Sequence, residues 1–424
     1  MSDQTARDFS CQEYAEFSRR GLLNRIVPAA AAALATQWLP KVALARGGGS
    51  NRSVLVHIFL RGGMDGLSTC VPYADADLYA ARPHLAVPPP GSPDGAIDLD
   101  GFFGLHPSAL SLMTPWNDGK LAFVHAAGST DPTRSHFDAY KFMEYGIPGQ
   151  PTSTVTTGWL ARHTQVIGSS TTAVCLAVES SLTGSFTLKG ADRGLTIDDF
   201  DAFAFPGNPA SKDQRRTVLL KSYTGAKDPL GSAAENTFAT IDLFEQIDFA
   251  NYVPANGAVY PDTYLGRQLK QIAALIKADV GVEVAMANIG GWDLHASLNG
   301  NMGILLDDLA RCMEAFYQDT LALQDRIVVV AMSEFGRRVA ENASSGVDHG
   351  HGNCMLLMGG AIAGGQVMTV WPGLAPPNLD SGLDLAITTD YRDILGEVLY
   401  KLCGDDNLAF VFPNYTPTFR GIVV

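Results

Sequence analysis

The chain has 424 residues, of which 46% are hydrophobic, and its formal net charge at pH 7 is −14. This length allows a large buried core, in one big α/β domain or in two domains. The acidic balance argues against a nucleic acid partner, because phosphate binding requires clustered lysine and arginine side chains.

The N-terminal segment, residues 1–45, has the pattern of an export signal. Arg19 and Arg20 precede a short apolar run, and Ala43 and Ala45 fit a signal peptidase site. The run is too short for a confident membrane span, which takes roughly 20 residues. We therefore predict export by the twin-arginine machinery to the periplasm or the medium, with no integral membrane span in the mature chain. The alternative is a buried N-terminal helix.

The remainder, residues 46–424, is predicted to form the α/β domain. The twin-arginine route carries proteins that are already folded, often with a cofactor in place, which agrees with a metal site. His57 and His125 lie inside predicted strands and are interpreted as core residues.

Strands and helices alternate along the first part of this domain. An apolar run at 53–60 predicts a buried strand, and 121–126 predicts the next, followed by a helix from about 135 to 144. The pattern then becomes irregular and rich in Ser, Thr and Gly over 146–250, where only 173–178 is typical of a strand. We interpret 146–250 as an insertion or cap.

The regular pattern returns in the last third of the chain. Apolar residues at helical spacing over 265–276 and 305–316 predict two amphipathic helices, and strands are predicted at 284–289, 327–332 and 354–358. A strand–helix–strand unit implies parallel strands joined by a right-handed crossover. Apolar strands without polar alternation indicate a sheet covered on both faces. The predicted fold is therefore an α/β three-layer sandwich around a mostly parallel central sheet.

Acidic and imidazole side chains follow several of these strands. Asp65 comes after the first strand, Asp293 and His295 follow the strand at 284–289, and Glu334 ends the strand at 327–332. In open α/β sheets ligands bind beyond the carboxyl ends of the strands, so we expect these residues to lie close together.

The most specific motif is Asp-His-Gly-His-Gly at 348–352, which leads into a buried strand. Asp348, His349 and His351 add to the oxygen and imidazole donors above, and none of the predicted ligands is a cysteine. This set suits one or two divalent ions, such as Zn, Mn, Ca, Mg or Fe. Whether both histidines bind stays open, because one of them could orient substrate or an outer carboxylate.

Two residues are candidates for catalysis. Ser135 is predicted at a helix start, where free amides favour an anion, and its hydroxyl could be a metal-activated nucleophile. It could equally be only an N-cap. Arg337 could clamp an anionic substrate with two hydrogen bonds, or neutralise the neighbouring acidic ligands. His136, the next residue after Ser135, is a secondary candidate.

Motifs spread over nearly the whole chain carry a resemblance to a known family. They are the twin-arginine signal, R-G-G-M-D-G at 61–66, T-R-S-H-F-D-A at 133–139, G-G-W-D-L-H at 290–295, S-E-F-G-R at 333–337, D-H-G-H-G at 348–352 and T-T-D-Y-R-D at 388–393. On these motifs the chain resembles the exported "domain of unknown function 1501" family. That family looks like a distant branch of the alkaline phosphatase and sulfatase superfamily. The resemblance implies an alkaline-phosphatase-like fold with one or two metals and a Ser, Thr or modified Cys nucleophile.

The resemblance also implies roles for individual residues. Asp65 is similar to the first-strand Asp ligand, and Ser135 is similar to the nucleophile at a helix start. Asp293 and His295 resemble the Asp and His that share one metal. Glu334 takes the place of a usual Asp-His pair.

One further motif fits the pattern of the superfamily, and one residue departs from it. The cluster at 348–351 falls where a late His ligand precedes another strand, whereas Phe335 stands where the superfamily would have a His ligand.

The sequence therefore leads us to expect a periplasmic metal-dependent hydrolase of phosphate or sulfate esters, acting on an anionic small molecule or glycan. The alternative is a metal-binding or catalytically degenerate envelope protein that binds a glycan or protein partner. Another metal-dependent enzyme, such as an oxidase or lyase, is a third alternative, and redox-active iron would favour it.

Overall fold

The computed structural model describes residues 53–151, 154–168, 172–176, 185–191, 194–197, 208–223 and 230–424. The predicted export signal lies outside the described residues. Within the described ranges, no helix is long and apolar enough to cross a membrane.

The described residues form both strands and helices. The strands are β1 (Val54–Leu60), β2 (Cys70–Val71), β3 (Ile97–Asp98), β4 (Gly104–Leu105), β5 (Leu121–Gly128), β6 (Thr172–Leu176), β7 (Gly194–Ile197), β8 (Val282–Ile289), β9 (Ile327–Met332), β10 (Asn353–Gly359), β11 (Gln366–Met368) and β12 (Thr389–Asp390). The α-helices are α1 (Gly66–Thr69), α2 (Ala76–Ala81), α3 (Met113–Asn117), α4 (His136–Tyr145), α5 (Trp159–Ile167), α6 (Lys212–Tyr223), α7 (Leu230–Ile247), α8 (Tyr264–Lys277), α9 (Leu298–Asp319), α10 (Tyr391–Lys401) and α11 (Leu408–Val411). Short 3-10 helices occupy Pro107–Leu112, Phe186–Leu188, Pro209–Ser211, Phe249–Asn251, Leu321–Arg326 and Pro376–Asn378.

The central sheet has the strand order β11-β5-β10-β9-β1-β8-β6-β7, with β12 beside β5. Among the described strands of this sheet, only β10 runs against its neighbours, β5 and β9. The other pairs are parallel. Strands β2, β4 and β3 form a small separate sheet. The predicted mostly parallel sheet is confirmed.

Helices cover both faces of the sheet, and β1, which is apolar except for His57, shows what this requires of a strand sequence. Val56 and Ile58 pack into one core with residues of α8 and α9. Leu55 and Phe59 pack into a second core with residues of α4, α5 and α10. Fully burying an apolar side chain of this size stabilises the folded state by about 1.5–3 kcal/mol. A strand that is buried on both faces is therefore apolar on both faces. The three-layer sandwich predicted from the sequence is confirmed.

The region predicted as an insertion or cap, 146–250, contributes two strands to the central sheet. β6 pairs in parallel with β8, and β7 pairs in parallel with β6. The described part of this region is therefore continuous with one edge of the sheet. β7 has only four residues, Gly-Leu-Thr-Ile, too few for periodicity to reveal a strand.

The antiparallel direction of β10 decides where the functional residues lie. The carboxyl ends of β1, β5, β8 and β9 share one edge of the sheet. Because β10 runs the other way, its first residue, Asn353, lies at the same edge. The residues that precede β10 therefore meet the residues that follow β8 and β9.

Candidate metal centre

Three imidazoles and one carboxylate converge at this edge. Asp293 Oδ1 lies 3.1 Å from the Nε2 atoms of both His295 and His349, and 3.4 Å from His136 Nε2. The donor atoms of His136, Asp293 and His349 all lie within 4.8 Å of one another. His295 Nε2 lies 2.9 Å from His349 Nε2. These four side chains form what we call the histidine cluster.

Two of the rings are held by hydrogen bonds from Nδ1. His136 Nδ1 lies 2.5 Å from Glu334 Oε1, and His349 Nδ1 lies 2.8 Å from the Arg134 carbonyl oxygen. Because a carboxylate and a carbonyl only accept, Nδ1 carries the proton of each neutral ring and Nε2 remains an acceptor. Metal-binding histidines commonly have such a partner, which sets the tautomer and the ring orientation. Glu334, predicted as a ligand, thus contacts the outer nitrogen of a cluster histidine.

The third ring is held by Asp348, another predicted ligand. Asp348 Oδ1 lies 3.1 Å from His295 Nδ1. Asn342 donates to Asp348 Oδ1 and to the His295 carbonyl oxygen, each at 3.0 Å. Asn342 Oδ1 in turn accepts from the main-chain N–H groups of Ser344 and Gly346. Sequence reasoning missed Asn342, because a loop asparagine carries no periodic or motif signal.

The polar groups of the histidine cluster fit a divalent cation. His136 Nε2 is buried and has no hydrogen-bond partner among the described residues. The Nε2 atoms of His295 and His349 face each other, and two acceptors at this distance repel unless a proton or a cation lies between them. A set of imidazoles with one carboxylate and no thiolate suits zinc, iron or manganese.

The charges in and around the histidine cluster also favour a bound cation. Burial alone would raise the pKa of Asp293, but its contacts with the three imidazoles and with Arg337 hold it well below its usual range. Burial alone would lower the pKa of His136, but Asp293 and Glu334 raise it to about 9. The two carboxylates thus create a demand for positive charge, which either a proton or a metal ion can meet.

Arg337 differs from its predicted role as a substrate clamp. Its side chain is buried, and it donates to the carbonyl oxygens of Gly63 at 2.6 Å and Val347 at 3.0 Å. It also donates to Asp293 Oδ1 at 2.7 Å and to two further carbonyls of the surrounding loops. These contacts engage all three guanidinium nitrogens. Arg337 therefore joins the loops to each other and holds Asp293.

Two predicted ligands lie outside the histidine cluster. Asp65 is buried and accepts hydrogen bonds from Arg82 on both carboxylate oxygens, at 2.5 and 3.0 Å. His351 Nδ1 lies 2.8 Å from Asp380 and 3.3 Å from Asp384. A buried charge needs its partner close by, which accounts for the first pairing. These positions differ from the expectation that both residues join the other ligands.

Glycines allow the loops to approach this closely. Gly62 has φ of +120°, and a Cβ atom there would lie 2.6 Å from the main-chain nitrogen of Asp293. A Cβ atom at Gly350 would lie 2.5 Å from the carbonyl carbon of Arg337. Gly62 and Gly350 are therefore required by contact between backbones.

Ser135 immediately precedes the cluster residue His136 at the start of α4. The Ser135 side chain is half-buried, and it makes no capping hydrogen bond among the described residues. Its main-chain nitrogen instead donates to Thr133 Oγ1 at 3.2 Å. The Ser135 hydroxyl is therefore not engaged in capping α4, the alternative role considered from the sequence.

The sequence marks His136 only as a secondary candidate. It follows β5 by eight residues, so the strand-end pattern that marks Asp293 and His295 is weaker there. The signal that could have identified it is its place between a buried strand and a helix, on the same sheet edge as the other motifs.

The family of the chain follows from its sequence as a whole. Residues 52–414 match the family model described as "Protein of unknown function (DUF1501)". The chain belongs to this family. No curated protein sequence matches the chain.

Solved structures with a similar course of the chain include members of the alkaline phosphatase and sulfatase superfamily. One is a protein in the alkaline phosphatase superfamily from Vibrio parahaemolyticus, 12% identical over 77% of this chain and 64% of that chain, with a TM-score of 0.35. The PsFucS1 sulfatase from Pseudoalteromonas sp. is 11% identical over 87% and 74%, with a TM-score of 0.37. The C-terminal periplasmic domain of EcEptC from Escherichia coli, in complex with Zn, is 9% identical over 74% and 75%, with a TM-score of 0.36. Likeness at this level concerns the fold and carries no conclusion about chemistry.

Proposed function

We propose that this DUF1501 protein is a metal-dependent hydrolase of phosphate or sulfate esters. The observation that carries the proposal is the convergence of three imidazole Nε2 atoms on Asp293 Oδ1. Because the outer nitrogen of each ring is hydrogen-bonded, the inner nitrogens, which face Asp293, are oriented to act as ligands together with its carboxylate.

The chain's own residues have distinct roles in this proposal. His136, Asp293 and His349 would hold the metal, and His295 would complete the ligand set. A bound divalent ion supplies a Lewis acid that lowers the pKa of a hydroxyl or water and balances negative charge on the ester. Ser135 is the residue before the ligand His136 and the N-cap of the ten-residue helix α4, where the helix dipole favours an anion. We assign Ser135 as the nucleophile.

The cellular setting is part of the proposal. The twin-arginine pattern of residues 1–45 supports export to the periplasm or the medium, with the metal loaded before export. A precursor that carries both Arg19→Lys and Arg20→Lys tests the twin-arginine export route. We expect precursor to accumulate in the cytoplasm, and normal processing of this variant would rule the route out.

The test of the proposed function is a panel of aryl phosphate and aryl sulfate esters with protein exported by its native host. We expect turnover that is abolished by chelation. Ser135→Ala should lose turnover by several orders of magnitude while keeping its metal and its melting temperature. If Ser135→Ala keeps the wild-type rate, Ser135 is not the nucleophile.

One observation favours a second candidate, a metal-bearing envelope protein that binds its ligand without turnover. Arg337, the expected clamp for an anionic substrate, is occupied by main-chain carbonyls and by Asp293. A metal-loaded wild-type protein that turns over no ester would favour this candidate. Redox-active iron in the exported protein would instead favour an oxidase or a lyase.

A further inference from the structure

The four loops next to the histidine cluster contain few positive charges. They follow β1, β5, β8 and β9 and span residues 61–65, 129–135, 290–297 and 333–352. Together they have six acidic residues, four arginines and no lysine. If the histidines of these loops are neutral, only the arginines and a bound metal ion can balance the charge of an anionic substrate there.

All four arginines of these loops form ion pairs with carboxylates. The pairs are Arg61 with Glu144 at 2.9 Å, Arg134 with Asp384 at 2.5 Å, Arg337 with Asp293 at 2.7 Å and Arg338 with Asp348 at 3.7 Å. An arginine beside a carboxylate can still donate a hydrogen bond to a second anion, but the pair as a whole carries no net charge. The arginines therefore give this edge of the sheet no excess of positive charge.

Two buried carboxylates of the same loops have no ion pair with an arginine or a lysine among the described residues. Glu334 accepts from the main-chain nitrogen of Gly62 at 2.9 Å and contacts His136 Nδ1 at 2.5 Å. Asp131 accepts from two main-chain N–H groups, each at 2.8 Å. Neutral donors stabilise these two charges without cancelling them, so the loops are negative before a metal ion binds.

One divalent ion leaves the immediate surroundings of the histidine cluster with a small positive charge. The charged groups that contact its imidazoles or pair with those groups are Asp293, Glu334, Asp348, Arg337 and Arg338. Three carboxylates and two guanidinium groups give a net charge of −1, which a divalent ion changes to +1. The described residues hold a single group of side chains suited to a metal ion, so the balance is drawn with one ion.

The exposed side of the histidine cluster also carries a carboxylate. The side chain of His295 is 35% exposed, whereas those of His136 and His349 are 5% and 13% exposed. Asp348, which contacts His295, is 41% exposed. A substrate that enters from solvent at His295 therefore comes close to a negative charge.

Ester anions differ in the charge that they bring to such a site. A sulfate monoester and a phosphate diester each carry one negative charge. A phosphate monoester carries about 1.5 to 2 at pH 7, because its second pKa is about 6. In a partly buried site the effective dielectric constant is well below that of water, so a charge without a partner interacts strongly with nearby carboxylates. The second charge of a phosphate monoester would lie near Asp293, Glu334 and Asp348 with no cation to balance it.

We propose that the histidine cluster selects ester anions with a single negative charge, so that the substrate is a sulfate monoester or a phosphate diester rather than a phosphate monoester. This inference rests on the proposed hydrolase function. The one charge of such a substrate matches the net charge of the cluster with its ion, and sulfate monoesters and phosphate diesters share this charge and a tetrahedral centre.

Three probes that share a phenyl ring and cannot be hydrolysed at their carbon–sulfur or carbon–phosphorus bond test the effect of charge on binding. Benzenesulfonate and methyl phenylphosphonate carry one negative charge and represent the sulfate monoester and the phosphate diester, and phenylphosphonate carries two at mildly alkaline pH. Calorimetric titration of the full metal-loaded protein at low ionic strength gives the three dissociation constants. We expect phenylphosphonate to bind about tenfold more weakly than the better monoanion, and the better monoanion indicates the substrate class.

A variant with one added charge tests the same point within the protein. Ala296→Lys places a cation at an exposed position next to His295, and Ala322→Lys places it at an exposed position before β9, on the opposite edge of the sheet. Ala296→Lys should strengthen phenylphosphonate binding about tenfold and monoanion binding about threefold, and Ala322→Lys should change neither. Equal strengthening of all three probes by Ala296→Lys, or tightest binding of phenylphosphonate by the wild type, would overturn the inference.

Turnover of the corresponding 4-nitrophenyl esters separates this inference from the hydrolase function. Each kcat/KM is divided by the uncatalysed rate, and we expect the sulfate or the methyl phosphate diester to be accelerated most. The largest acceleration for 4-nitrophenyl phosphate would keep the hydrolase function and overturn the charge selectivity. The expected order of probe affinities without turnover of any ester would support the charge selectivity and rule out the hydrolase function alone.

Discussion

The Nε2 atoms of His295 and His349 lie 2.9 Å apart, although the two residues are 54 positions apart in the chain. His295 follows β8, and His349 precedes β10, whose antiparallel direction brings its start to the same sheet edge. Asp348 and the Arg134 carbonyl hold the outer nitrogens of the two rings. Neither ring can rotate away without losing a hydrogen bond. A cation bound by both Nε2 atoms would remove the repulsion between them.

We expect His349→Ala to lose most of its bound metal. The wild-type melting temperature should rise when divalent metal is added to chelated protein, because a ligand present at about 100 times its Kd stabilises the folded state by about 2.7 kcal/mol. This rise should vanish in His349→Ala. His84→Ala, in which the side chain is 82% exposed and lies outside the histidine cluster, is the control and should keep it. A wild-type metal content in His349→Ala would contradict the assignment.

Asp348→Asn should weaken metal binding about 10- to 100-fold, the usual effect of removing an outer partner of a metal-binding histidine. Asp380→Asn is a matched control, because Asp380 contacts the Nδ1 of His351, which lies outside the histidine cluster. Competition with a chelator of known affinity measures both variants. Equal losses in the two variants would show that Asp348 has no special role, and a loss in Asp380→Asn alone would return His351 to the ligand set.

Arg337→Leu should destabilise the protein by about 3–5 kcal/mol, because it leaves the Asp293 charge and several loop carbonyls without their donor. Urea unfolding of the chelated proteins measures this change apart from any loss of metal. Arg311→Leu removes an exposed ion pair with Asp307 and should change stability by less than about 1 kcal/mol. Near-equal stability of the two variants would mean that Arg337 is not structural and would reopen its role as a substrate clamp.

His57 should make the protein sensitive to acid. Burial, with a smaller contribution from the Arg61 charge, lowers the pKa of His57 from 6.5 to about 3. The unfolded chain therefore binds a proton between these pH values that the folded chain does not bind, and the free energy of unfolding falls as the pH drops below about 6.5.

This contribution amounts to about 1.4 kcal/mol per pH unit, or about 2 kcal/mol between pH 6.5 and 5. His57→Leu should remove it, so that the variant loses less stability than the wild type over this interval. Urea unfolding at pH 7, 6 and 5 provides the comparison. Parallel pH dependences of the wild type and His57→Leu would contradict the prediction.

The amino-acid sequence by itself determined the layers of the fold. β1, β8 and β9 are mostly apolar because both of their faces are buried, and this pattern is readable without a structure. It also located the loops after these strands, since the carboxyl ends of parallel strands share an edge. Asp293, His295 and His349 were predicted to lie close together on that reasoning, and the structure places them in contact.

Only the tertiary structure decided which side chain faces which partner. Asp65 follows a strand just as Asp293 does, but Arg82 lies within hydrogen-bonding distance of Asp65 and engages its carboxylate. Arg337 carries the same charge as an anion clamp, yet the loop carbonyls around it engage its donors. His136 joins the histidine cluster from a third segment of the chain. Such pairings depend on the direction of each side chain and on long-range contacts, which local periodicity and spacing do not encode.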